Sequence, residues 1–497
     1  MRIQQFAIEG LGHLSTLLSD DDAGVAVVVD PRRDVDIYLA AARARDLRIV
    51  EVVETHLHND YVSGARELAA LTGASHRIGA GAELQFDHRG VRNGDSFEVG
   101  ALQFTVLDTP GHTPEHVSYA VADTSRAAEP VLLFTGGSLL VGAVGRTDLL
   151  GDATAVPYAH AMHRSLHDVL LRHEDFVGVY PTHGAGSLCS TGIASTPSST
   201  IGYERRHNRL LAPMDVDAFA RALLDGQPTY PRYFARMRPT NQAGPAPIGA
   251  GIAPSRPLSL DEVRAAMDAG AVVVDARPPS AWAVAHVPGA MSIPAGTSFG
   301  TWLGWVVDHD RPAILVLDRA DDADDLQRQG LRIGHEAVLG HVRGGFAAWT
   351  DAGLPIESAG RITVDDLADT LGDDASERPY VLDVRQATEF EDGHVPGARH
   401  ITAGSLPEEL AALPRDRPIA VMCASGYRAA VATSLLGAAG FERVTWVADG
   451  VPAWQAAGYA VETGDRPDGG SSDQAAGEAP PGEGGGATAA ALHGHPH

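Results

Sequence analysis

The sequence predicts an α/β protein of about three domains, because of its length, its alternation of apolar runs with helical stretches, and an internal repeat. At 497 residues the chain is too long for one hydrophobic core, and a domain takes about 150 residues on average. Its 44% hydrophobic residues, 55 glycines and 31 prolines are typical of a globular α/β protein with many turns.

The first region is predicted to alternate strands and helices. Residues 25–30 form an apolar run, VAVVVD, and a helical stretch over about 35–45 separates it from a second run, IVEVV. Further on, FEVGALQFTVLDTPGH and EPVLLFTGG predict hairpin and strand segments that stop at polar or Gly-rich loops. Loops that follow strands are where the functional groups of such folds usually lie.

The charge and the lack of long apolar segments narrow the function classes. The formal net charge of -26 repels phosphate backbones and anionic lipids, so neither nucleic acid nor a membrane is an expected partner. No secretion signal is recognisable in the first twenty residues, and no stretch has the roughly 18 apolar residues of a membrane span. We therefore expect a cytoplasmic protein, and its two cysteines exclude a disulfide framework.

A linker and a repeat divide the chain. Residues 241–257 are rich in Gly, Pro and Ala and predict a linker after a first domain of residues 1–240. Two similar segments follow, and they predict domains at residues 258–358 and 361–463. The matched positions are Asp275, Arg277, His286 and Gly289 in the first copy and Asp383, Arg385, His394 and Gly397 in the second.

The end of the chain has a different composition. Residues 464–497 are low in complexity, and we expect them to form a disordered tail. The tail histidines at positions 493, 495 and 497 are expected to be solvated rather than to form a specific metal site.

One cysteine lies where a strand is predicted to meet a helix. The apolar run PIAVM precedes the segment CASGYR, from Cys423 to Arg428, and the segment AAVATSLLGAAG after it suits a helix. At such a turn, free backbone N–H groups and the helix dipole favour a thiolate or a persulfide anion. Gly426 lets the loop curl inward, and Arg428 adds a positive charge. The alternative is that Cys423 is a small buried packing residue.

The segment CASGYR resembles the active-site loop of single-domain rhodanese sulfurtransferases, and the Asp-x-Arg and His-Val-Pro-Gly-Ala elements resemble structural motifs of that family. The resemblance implies that Cys423 attacks the outer sulfur of a donor, forms a persulfide and releases that sulfur to an acceptor. Ser425, Gly426 and Arg428 are then the other active residues of the loop. His394 and Arg385 are interpreted as scaffold residues.

The first repeat departs from this pattern. Its corresponding segment is ILVLDRADDADDLQRQG, in which the cysteine position falls near Leu317 or Asp318. A carboxylate there neither forms a persulfide nor favours an anion. This copy is predicted to be an inactive spacer or docking domain.

Three predicted loops of the first domain carry histidines at strand ends. They are the segments 55–61, THLHNDY, 109–113, TPGHT, and 181–184, PTHG. Loops of this kind often bind first-row metals, and the alternation of His56 and His58 allows two imidazoles to converge. The ordered set resembles the metallo-β-lactamase superfamily, and within it glyoxalase II and persulfide dioxygenases, over about residues 1–240. The resemblance implies an αββα sandwich, followed by two rhodanese-like α/β domains with parallel central sheets.

The sequence differs from the superfamily pattern at two positions. Tyr61 stands where the pattern has a histidine, and Gly137 stands where it has an aspartate. In persulfide dioxygenases the positions that match His56 and His112 hold ferrous iron together with that aspartate, so two ligands of three remain. Without the bridging carboxylate, the dinuclear site of a hydrolase is hard to build.

Two interpretations of this site stay open. In the first, His58 joins His56 and His112 as a three-histidine face for one metal ion, and Asp60 and His183 orient the ligands or bound water. The metal is then Fe(II), with zinc as the alternative. In the second, no metal is bound and the domain serves as a scaffold or docking module.

The other cysteine follows the third histidine loop. Residues 145–151, GRTDLLG, resemble the segment after the metal strand of persulfide dioxygenases, and HGAGSLCS places Cys189 shortly after His183, as in bacterial dioxygenase–rhodanese fusions. Cys189 is therefore a candidate persulfide carrier near the metal. The alternative is again a buried packing residue.

These features predict an enzyme of sulfide and persulfide metabolism. In the first hypothesis the first domain oxidises a low-molecular-weight thiol persulfide to sulfite with iron and oxygen, while Cys423 transfers sulfane sulfur, and their union on one chain raises the effective concentration of the intermediate. The second hypothesis is a sulfurtransferase with a dead, metal-free first domain, and the third is a zinc thioester hydrolase of glyoxalase II type. The expected partner is a thiol persulfide or thiosulfate. The oligomeric state, a homo-oligomer included, is left open.

Overall fold

The computed structural model describes residues 1–249, 251–372 and 378–464. The predicted disordered tail lies outside the described residues from position 465 onward. Within the described ranges, no helix has both the length and the apolar character that crossing a membrane requires.

Two six-stranded sheets form the first part of the structure. The first sheet runs in sequence order, with strands β1 (Arg2–Ile8), β2 (His13–Asp20), β3 (Val25–Val29), β4 (Arg48–Val53), β5 (Ser75–Gly79) and β6 (Arg89–Val91). Its first three strands are antiparallel and the later pairs are parallel. The second sheet contains β7 (Ser96–Val99), β8 (Leu102–Asp108), β9 (Val117–Asp123), β10 (Leu132–Gly136), β11 (Gly178–Pro181) and β12 (Ser199–Thr200), again as neighbours in sequence order.

Helices cover the outer faces of both sheets. They are α1 (Asp36–Arg43) and α2 (Ala65–Thr72) on the first sheet, and α3 (Asp152–Arg164), α4 (Ile201–His207) and α5 (Val216–Leu224) on the second. The last helix of this part, α6 (Phe234–Ala243), packs in a cluster with residues of the repeats. Val27, Phe104 and Tyr119 are buried between the sheets. Tyr38 of α1 packs on the outside of the first sheet, and Met162 of α3 packs on the outside of the second. The layers are those of the predicted αββα sandwich.

The burial of β3 explains the apolar run that marks it in the sequence. All five of its residues are buried, because one face meets the second sheet and the other meets α1. A strand covered on both faces has a continuous apolar sequence rather than an alternating one. The strand ends at the buried carboxylate of Asp30.

The two repeats fold into five-stranded parallel sheets of identical order. The first contains β13 (Pro257–Leu258), β14 (Val272–Asp275), β15 (Met291–Ser292), β16 (Ala313–Val316) and β17 (Val338–Val342), in the order β13-β17-β16-β14-β15. The second contains β18 (Gly360–Ile362), β19 (Tyr380–Asp383), β20 (Arg399–His400), β21 (Ile419–Met422) and β22 (Val444–Val447), in the order β18-β22-β21-β19-β20. The predicted parallel central sheets are therefore present in both copies.

In the described ranges, five α-helices pack with each parallel sheet. The first copy has α7 (Leu260–Asp268), α8 (Pro279–Val284), α9 (Phe299–Val306), α10 (Ala323–Arg332) and α11 (Gly345–Asp351). The second has α12 (Val364–Gly372), α13 (Ala387–Glu391), α14 (Leu406–Glu409), α15 (Tyr427–Ala438) and α16 (Val451–Ala456).

The residues predicted to be scaffold make the same contacts in both copies. Arg277 forms a forked ion pair with Asp275, and Arg385 does the same with Asp383. His394 stacks on a neighbouring phenylalanine ring at 3.6 Å and bonds that residue's carbonyl through Nδ1. These contacts fix the turns after the first long strand of each sheet, which is a structural role.

The three parts of the chain meet in one of the hydrophobic clusters. Tyr61 and Met237 of the sandwich, Leu303 of the first repeat and Leu436 of the second belong to a single cluster of buried residues. A forked ion pair between Arg332 and Asp34, both buried, joins the sandwich to the first repeat at 2.7 and 2.9 Å. The repeats are therefore packed on the sandwich and not merely tethered to it.

The segment predicted as a linker begins inside a helix. The last turn of α6 extends to Ala243, and Asn241 is 4% exposed. Its side chain accepts a hydrogen bond from the Ser63 N–H and donates to the carbonyls of His58 and Tyr61, all at 2.9 Å. Asn241 thus supports the first histidine loop, a role that the low-complexity composition of the segment concealed.

Candidate functional site

Asp30 organises two of the histidine loops. Its carboxylate is fully buried and accepts hydrogen bonds from the Thr55 N–H at 2.7 Å, from the Thr55 hydroxyl at 2.8 Å, and from the Thr182 hydroxyl. Asp30 itself adopts a left-handed backbone conformation with φ of 49°. The end of β3 therefore holds the loops that carry His56 and His183 at one edge of the sandwich.

His56 and His112 each use Nδ1 for a hydrogen bond to the surrounding chain, which leaves Nε2 as the ligand atom of each ring. His112 Nδ1 lies 2.8 Å from the carbonyl of Arg146, which only accepts, so Nδ1 carries the proton. His56 Nδ1 lies 2.8 Å from the Thr55 hydroxyl, whose own proton goes to Asp30. In both rings Nε2 then has a lone pair, and His112 Nε2 is buried without a hydrogen-bond partner.

His183 is placed between a carboxylate and a thiol. Its Nδ1 lies 3.2 Å from Asp60 Oδ2, and its Nε2 lies 3.4 Å from Nε2 of His56. Burial opposes a charge on this ring, but Cys189 and Asp60 outweigh burial and hold the pKa of His183 well above its usual value. In turn, despite burial, His183 and other nearby histidines lower the pKa of Asp60 to about 2.

Two groups of donor atoms come together in the described part of the chain. The ligand atoms of His56, His58 and His183 all lie within 4.8 Å of one another, and so do those of His112, His183 and Cys189. His183, predicted to orient other ligands, belongs to both groups. His58 and His112 fall in different groups, so the predicted face of His56, His58 and His112 is not among the sets that the structure brings together.

His58 is directed towards carboxylates. Its Nε2 lies 3.4 Å from Asp30 Oδ1 and 3.8 Å from Glu54 Oε1, and its ring stacks on Tyr61 at 4.4 Å. Tyr61, the residue that replaces the family histidine, is fully buried and bonds the carbonyl of Asp30. These contacts give His58 and Tyr61 a part in building the loop.

The position of the missing aspartate is closed. A Cβ atom on Gly137 would lie 2.2 Å from Cδ2 of His112, so the His112 ring occupies the space that a side chain would need. The Gly137 N–H donates to Nε2 of His116 at 2.9 Å, and the His116 ring stacks on His56 at 5.0 Å. His116 therefore fixes the backbone at the departure from the family pattern.

Burial favours the neutral form of three of the imidazoles, those of His56, His112 and His116. Burial is the largest cause that lowers the pKa of His112 to about 3, and burial with neighbouring histidines holds the pKa of His56 and of His116 well below the usual value. Neutral imidazoles with free lone pairs are the form that binds a metal ion. The donor set therefore fits a metal ion, although it does not fit the two-histidine, one-aspartate set implied for the family.

Arg146 links this site to its surroundings. Its backbone carbonyl accepts from His112, and its backbone N–H donates to the carbonyl of Cys189 at 2.8 Å. Its guanidinium donates to the carbonyls of Leu188 and Pro228 and lies 4.8 Å above the ring of Tyr230. One buried residue thus sets the positions of both His112 and the Cys189 loop.

The second cysteine site lies at the start of α15. Cys423 directly follows β21, and Gly426, at φ of 83°, precedes the helix. The Gly426 N–H donates to Cys423 Sγ at 3.2 Å. A Cβ atom on Gly426 would lie 2.2 Å from the carbonyl oxygen of Ala448, so only glycine fits there. Ser425 is exposed at the tip of the loop.

Arg428 completes this loop. Its guanidinium donates to both carboxylate oxygens of Glu389, at 2.6 and 2.8 Å. Burial acts to lower the pKa of Arg428, but Glu389 and, less strongly, Cys423 outweigh it, so that pKa is raised. Glu389 therefore favours the charged form of Arg428, and Cys423 lies near enough to act on that charge.

The register of the two parallel sheets identifies the counterpart of Cys423. In the second copy Asp383 pairs with Met422, the residue before Cys423. In the first copy Asp275 pairs with Val316, the residue before Leu317. Of the two predicted positions, Leu317 is the counterpart, and its side chain is 5% exposed. The first copy therefore has an aliphatic side chain where the second has a thiol.

The sandwich touches the Cys423 domain close to its active loop. The Thr229 N–H and hydroxyl both donate to the side-chain oxygen of Gln386, at 3.2 and 3.0 Å. Gln386 caps α13 reciprocally with Glu389, the residue that pairs with Arg428. A chain of hydrogen bonds thus connects the sandwich to the ion pair beside Cys423.

Several residues that organise the sites were missed by sequence reasoning. They are Asp30, His116, Arg146, Gln386 and Glu389. Asp30 and His116 had a detectable signal, because a polar residue directly follows an apolar run in one case and a second histidine follows the TPGHT loop in the other. The roles of Gln386 and Glu389 depend on contacts across 157 and 39 positions of the chain, for which no local signal exists.

Comparison with known families agrees with the architecture. Residues 8–177 match the metallo-beta-lactamase superfamily, and residues 259–352 and 363–457 each match the rhodanese-like domain. The chain therefore contains a metallo-β-lactamase superfamily domain followed by two rhodanese-like domains.

Individual relatives match the first domain. A hydroxyacylglutathione hydrolase of Polaromonas is 33% identical over 172 residues, which are 34% of this chain and 60% of the relative. The human mitochondrial persulfide dioxygenase ETHE1 is 29% identical over 177 residues, 34% of this chain and 62% of the relative. The chain thus spans about three fifths of these relatives. Among solved structures, a metallo-beta-lactamase of Staphylococcus aureus is 28% identical with a TM-score of 0.63, covering 68% of this chain and 98% of that one.

Proposed function

We propose that this protein is a sulfurtransferase of persulfide metabolism in which Cys423 carries sulfane sulfur. The observation that supports this most directly is Cys423 Sγ at the start of a helix, accepting the Gly426 N–H at 3.2 Å with the Arg428 guanidinium held close by Glu389. Backbone donors and a cation both stabilise a thiolate or persulfide anion.

The reaction follows from these groups. The Cys423 thiolate attacks the outer sulfur of thiosulfate, the new S–S bond forms as the donor S–S bond breaks, and sulfite leaves with the bonding electron pair. An acceptor thiolate then attacks the outer sulfur of the Cys423 persulfide, and the Cys423 thiolate departs. Arg428 compensates the negative charge of the donor and of the persulfide. No net oxidation occurs.

For the first domain we propose a single metal ion bound by the buried histidines, with a thiol persulfide as substrate. The neutral rings of His56 and His112 and the relationship to persulfide dioxygenase ETHE1 support this. When bound, Fe(II) would supply redox chemistry for oxidising a persulfide to sulfite with dioxygen. The chain itself orients the ligands through Thr55, Asp60 and Arg146 and excludes water by burying them.

Two alternatives have support of their own. The closed position of Gly137 favours a metal-free scaffold, because one family ligand is lost. The similarity to hydroxyacylglutathione hydrolase favours a zinc thioester hydrolase. Oxygen uptake with a thiol persulfide would support the dioxygenase, thioester hydrolysis without oxygen uptake would support the hydrolase, and neither activity in metal-loaded protein would support the scaffold. The cytoplasmic location stays a prediction.

The transfer proposal is tested with one substitution. Cys423→Ser removes the nucleophile, so we expect sulfur transfer from thiosulfate to a cyanide or thiol acceptor to fall to the uncatalysed rate. The measurement is the steady-state rate of product formation by the full-length protein. Ala438→Ser adds the same hydroxyl at an exposed position at the far end of α15 and should keep the wild-type rate. Transfer at the wild-type rate in the Cys423→Ser variant would overturn the proposal.

A further inference from the structure

Gly137 stands where the family pattern has a metal-binding aspartate, and the structure leaves no room for a side chain at that position. The His112 ring lies where a side chain on Gly137 would begin, at 2.2 Å from the Cβ position. The residue His112 is only 1% exposed, yet its Nε2 atom has no hydrogen-bond partner. A buried imidazole lone pair without a partner is costly, and a metal ion would satisfy it. The lost ligand must then be supplied from elsewhere in the chain.

Cys189 lies at the required place. Its side chain is 1% exposed, and its Sγ lies within 4.8 Å of the ligand nitrogens of both His112 and His183. Metal–sulfur bonds of about 2.3 Å and metal–nitrogen bonds of about 2.0 to 2.1 Å put tetrahedral donors roughly 3.4 to 3.6 Å apart. Side-chain adjustments of about an ångström would therefore bring the three donors onto one ion.

The backbone around Cys189 is fixed to the same framework as His112. The peptide of Arg146 bonds both residues, accepting from the His112 ring and donating to the Cys189 carbonyl. The Cys189 N–H donates to the Ser187 hydroxyl at 3.1 Å. On the opposite side Asp60 orients His183. The Arg146 carbonyl behind His112 and the Asp60 carboxylate behind His183 are contacts typical of imidazoles that bind a metal ion.

We propose that Cys189, His112 and His183 are the protein ligands of a divalent transition metal, with the Cys189 thiolate in place of the family carboxylate. His56 Nε2, at 3.4 Å from His183 Nε2, belongs to the neighbouring donor group, so three protein ligands leave a fourth position open for the persulfide. A set of imidazoles and one thiolate suits zinc or ferrous iron and disfavours magnesium or calcium. The inference rests on the proposed metal-binding role of the first domain. It makes Cys189 a metal ligand instead of a persulfide carrier.

Cobalt substitution tests this assignment without relying on activity. We would load metal-free, full-length protein with Co(II) and record its absorption spectrum. Wild type and Cys423→Ser should show a thiolate-to-cobalt charge-transfer band with one equivalent of cobalt, whereas Cys189→Ser should lose it. The Cys423→Ser variant is the matched control, because it makes the same change at the other cysteine of the chain. A band that persists in Cys189→Ser, or disappears in Cys423→Ser, would overturn the proposal.

A second measurement needs no substitution in the metal site. X-ray absorption at the metal edge of the Cys423→Ser protein should show one sulfur scatterer among nitrogen scatterers. A shell with nitrogen and oxygen alone would contradict thiolate ligation even if the Cys189 variant does not fold. Protein that binds no metal would refute the ligand set and the proposed metal role together. Sulfur transfer by Cys423, measured separately on the same wild-type preparation, would stand or fall independently.

Discussion

The two cysteines of this protein are equally buried, at 1% exposure each, but have different neighbours. Cys423 meets a backbone N–H and lies close to an arginine, in a turn between a strand and a helix. Cys189 meets the nitrogens of two buried imidazoles. The donors around Cys423 stabilise an anion that stays available for reaction, whereas those around Cys189 are themselves metal ligands. Burial alone therefore does not define the role of a thiol, and the atoms within a few ångströms do.

Removing the positive charge of Arg428 should strongly reduce sulfur transfer at Cys423 and leave metal binding by the first domain unchanged. Arg428→Met keeps much of the side-chain bulk but loses a charge-assisted contact of about 1.5–3 kcal/mol. We expect kcat/KM for thiosulfate to fall about 10- to 100-fold, with metal content unchanged. Steady-state kinetics and metal analysis of the same preparation measure both. Unchanged kinetics would mean that Arg428 serves only to hold Glu389.

The pH dependence of this contact has a definite sign. Burial acts to raise the pKa of Glu389, but the hydrogen bonds from Arg428 outweigh it and hold the pKa below its usual value. The stabilisation by the ion pair is therefore present above the pKa that Glu389 has in the unfolded chain, and it is lost as pH falls through the lower folded value. The Arg428→Met variant should lack this loss on acidification.

A smaller effect is expected on metal affinity at the site that contains Cys189. Asp60→Asn keeps the shape of the side chain but removes the charge 3.2 Å from His183 Nδ1. Substitutions of residues that orient a metal ligand typically weaken metal binding, and we expect about a tenfold loss of affinity. Competition with a chelator gives that affinity. Sulfur transfer through Cys423 should not change; a parallel loss of transfer would show that the two sites are not separable.

The fold was more accessible from sequence than the metal site. The continuous apolar run of β3 predicted a strand and the matched Asp-x-Arg segments predicted two similar domains, because burial and repetition leave local patterns. The sandwich and the parallel sheets were expected from the resemblance to known families. The loop from Cys423 to Arg428 was also predictable, since its turn lies within six residues. The hydrogen bond from His112 to Arg146 was not, because the two residues lie 34 positions apart. Cys189 was expected near the metal, but as a persulfide carrier and only through the family resemblance.

The role predicted for His58 depends on contacts that lie outside its own loop. His58 was expected to substitute for the lost aspartate because it alternates with His56 in one loop. In the structure its Nε2 lies 3.4 Å from Asp30 Oδ1 and 3.8 Å from Glu54 Oε1. His58 forms a donor group with His56 and His183, whereas His112 belongs to a second group with His183 and Cys189. Spacing within a loop restricts which side chains lie near one another, but the carboxylates behind the loop decide where each ring points.

Detecting a persulfide on Cys423 is the most direct test of the central claim that this residue carries sulfur. Full-length protein would be incubated with thiosulfate, freed of excess donor, and analysed by intact mass and by peptide mapping. We predict a mass increase of one sulfur atom, located on the peptide that contains Cys423 and lost on addition of a thiol acceptor. Sulfur found on the Cys189 peptide, or on neither cysteine, would contradict the account.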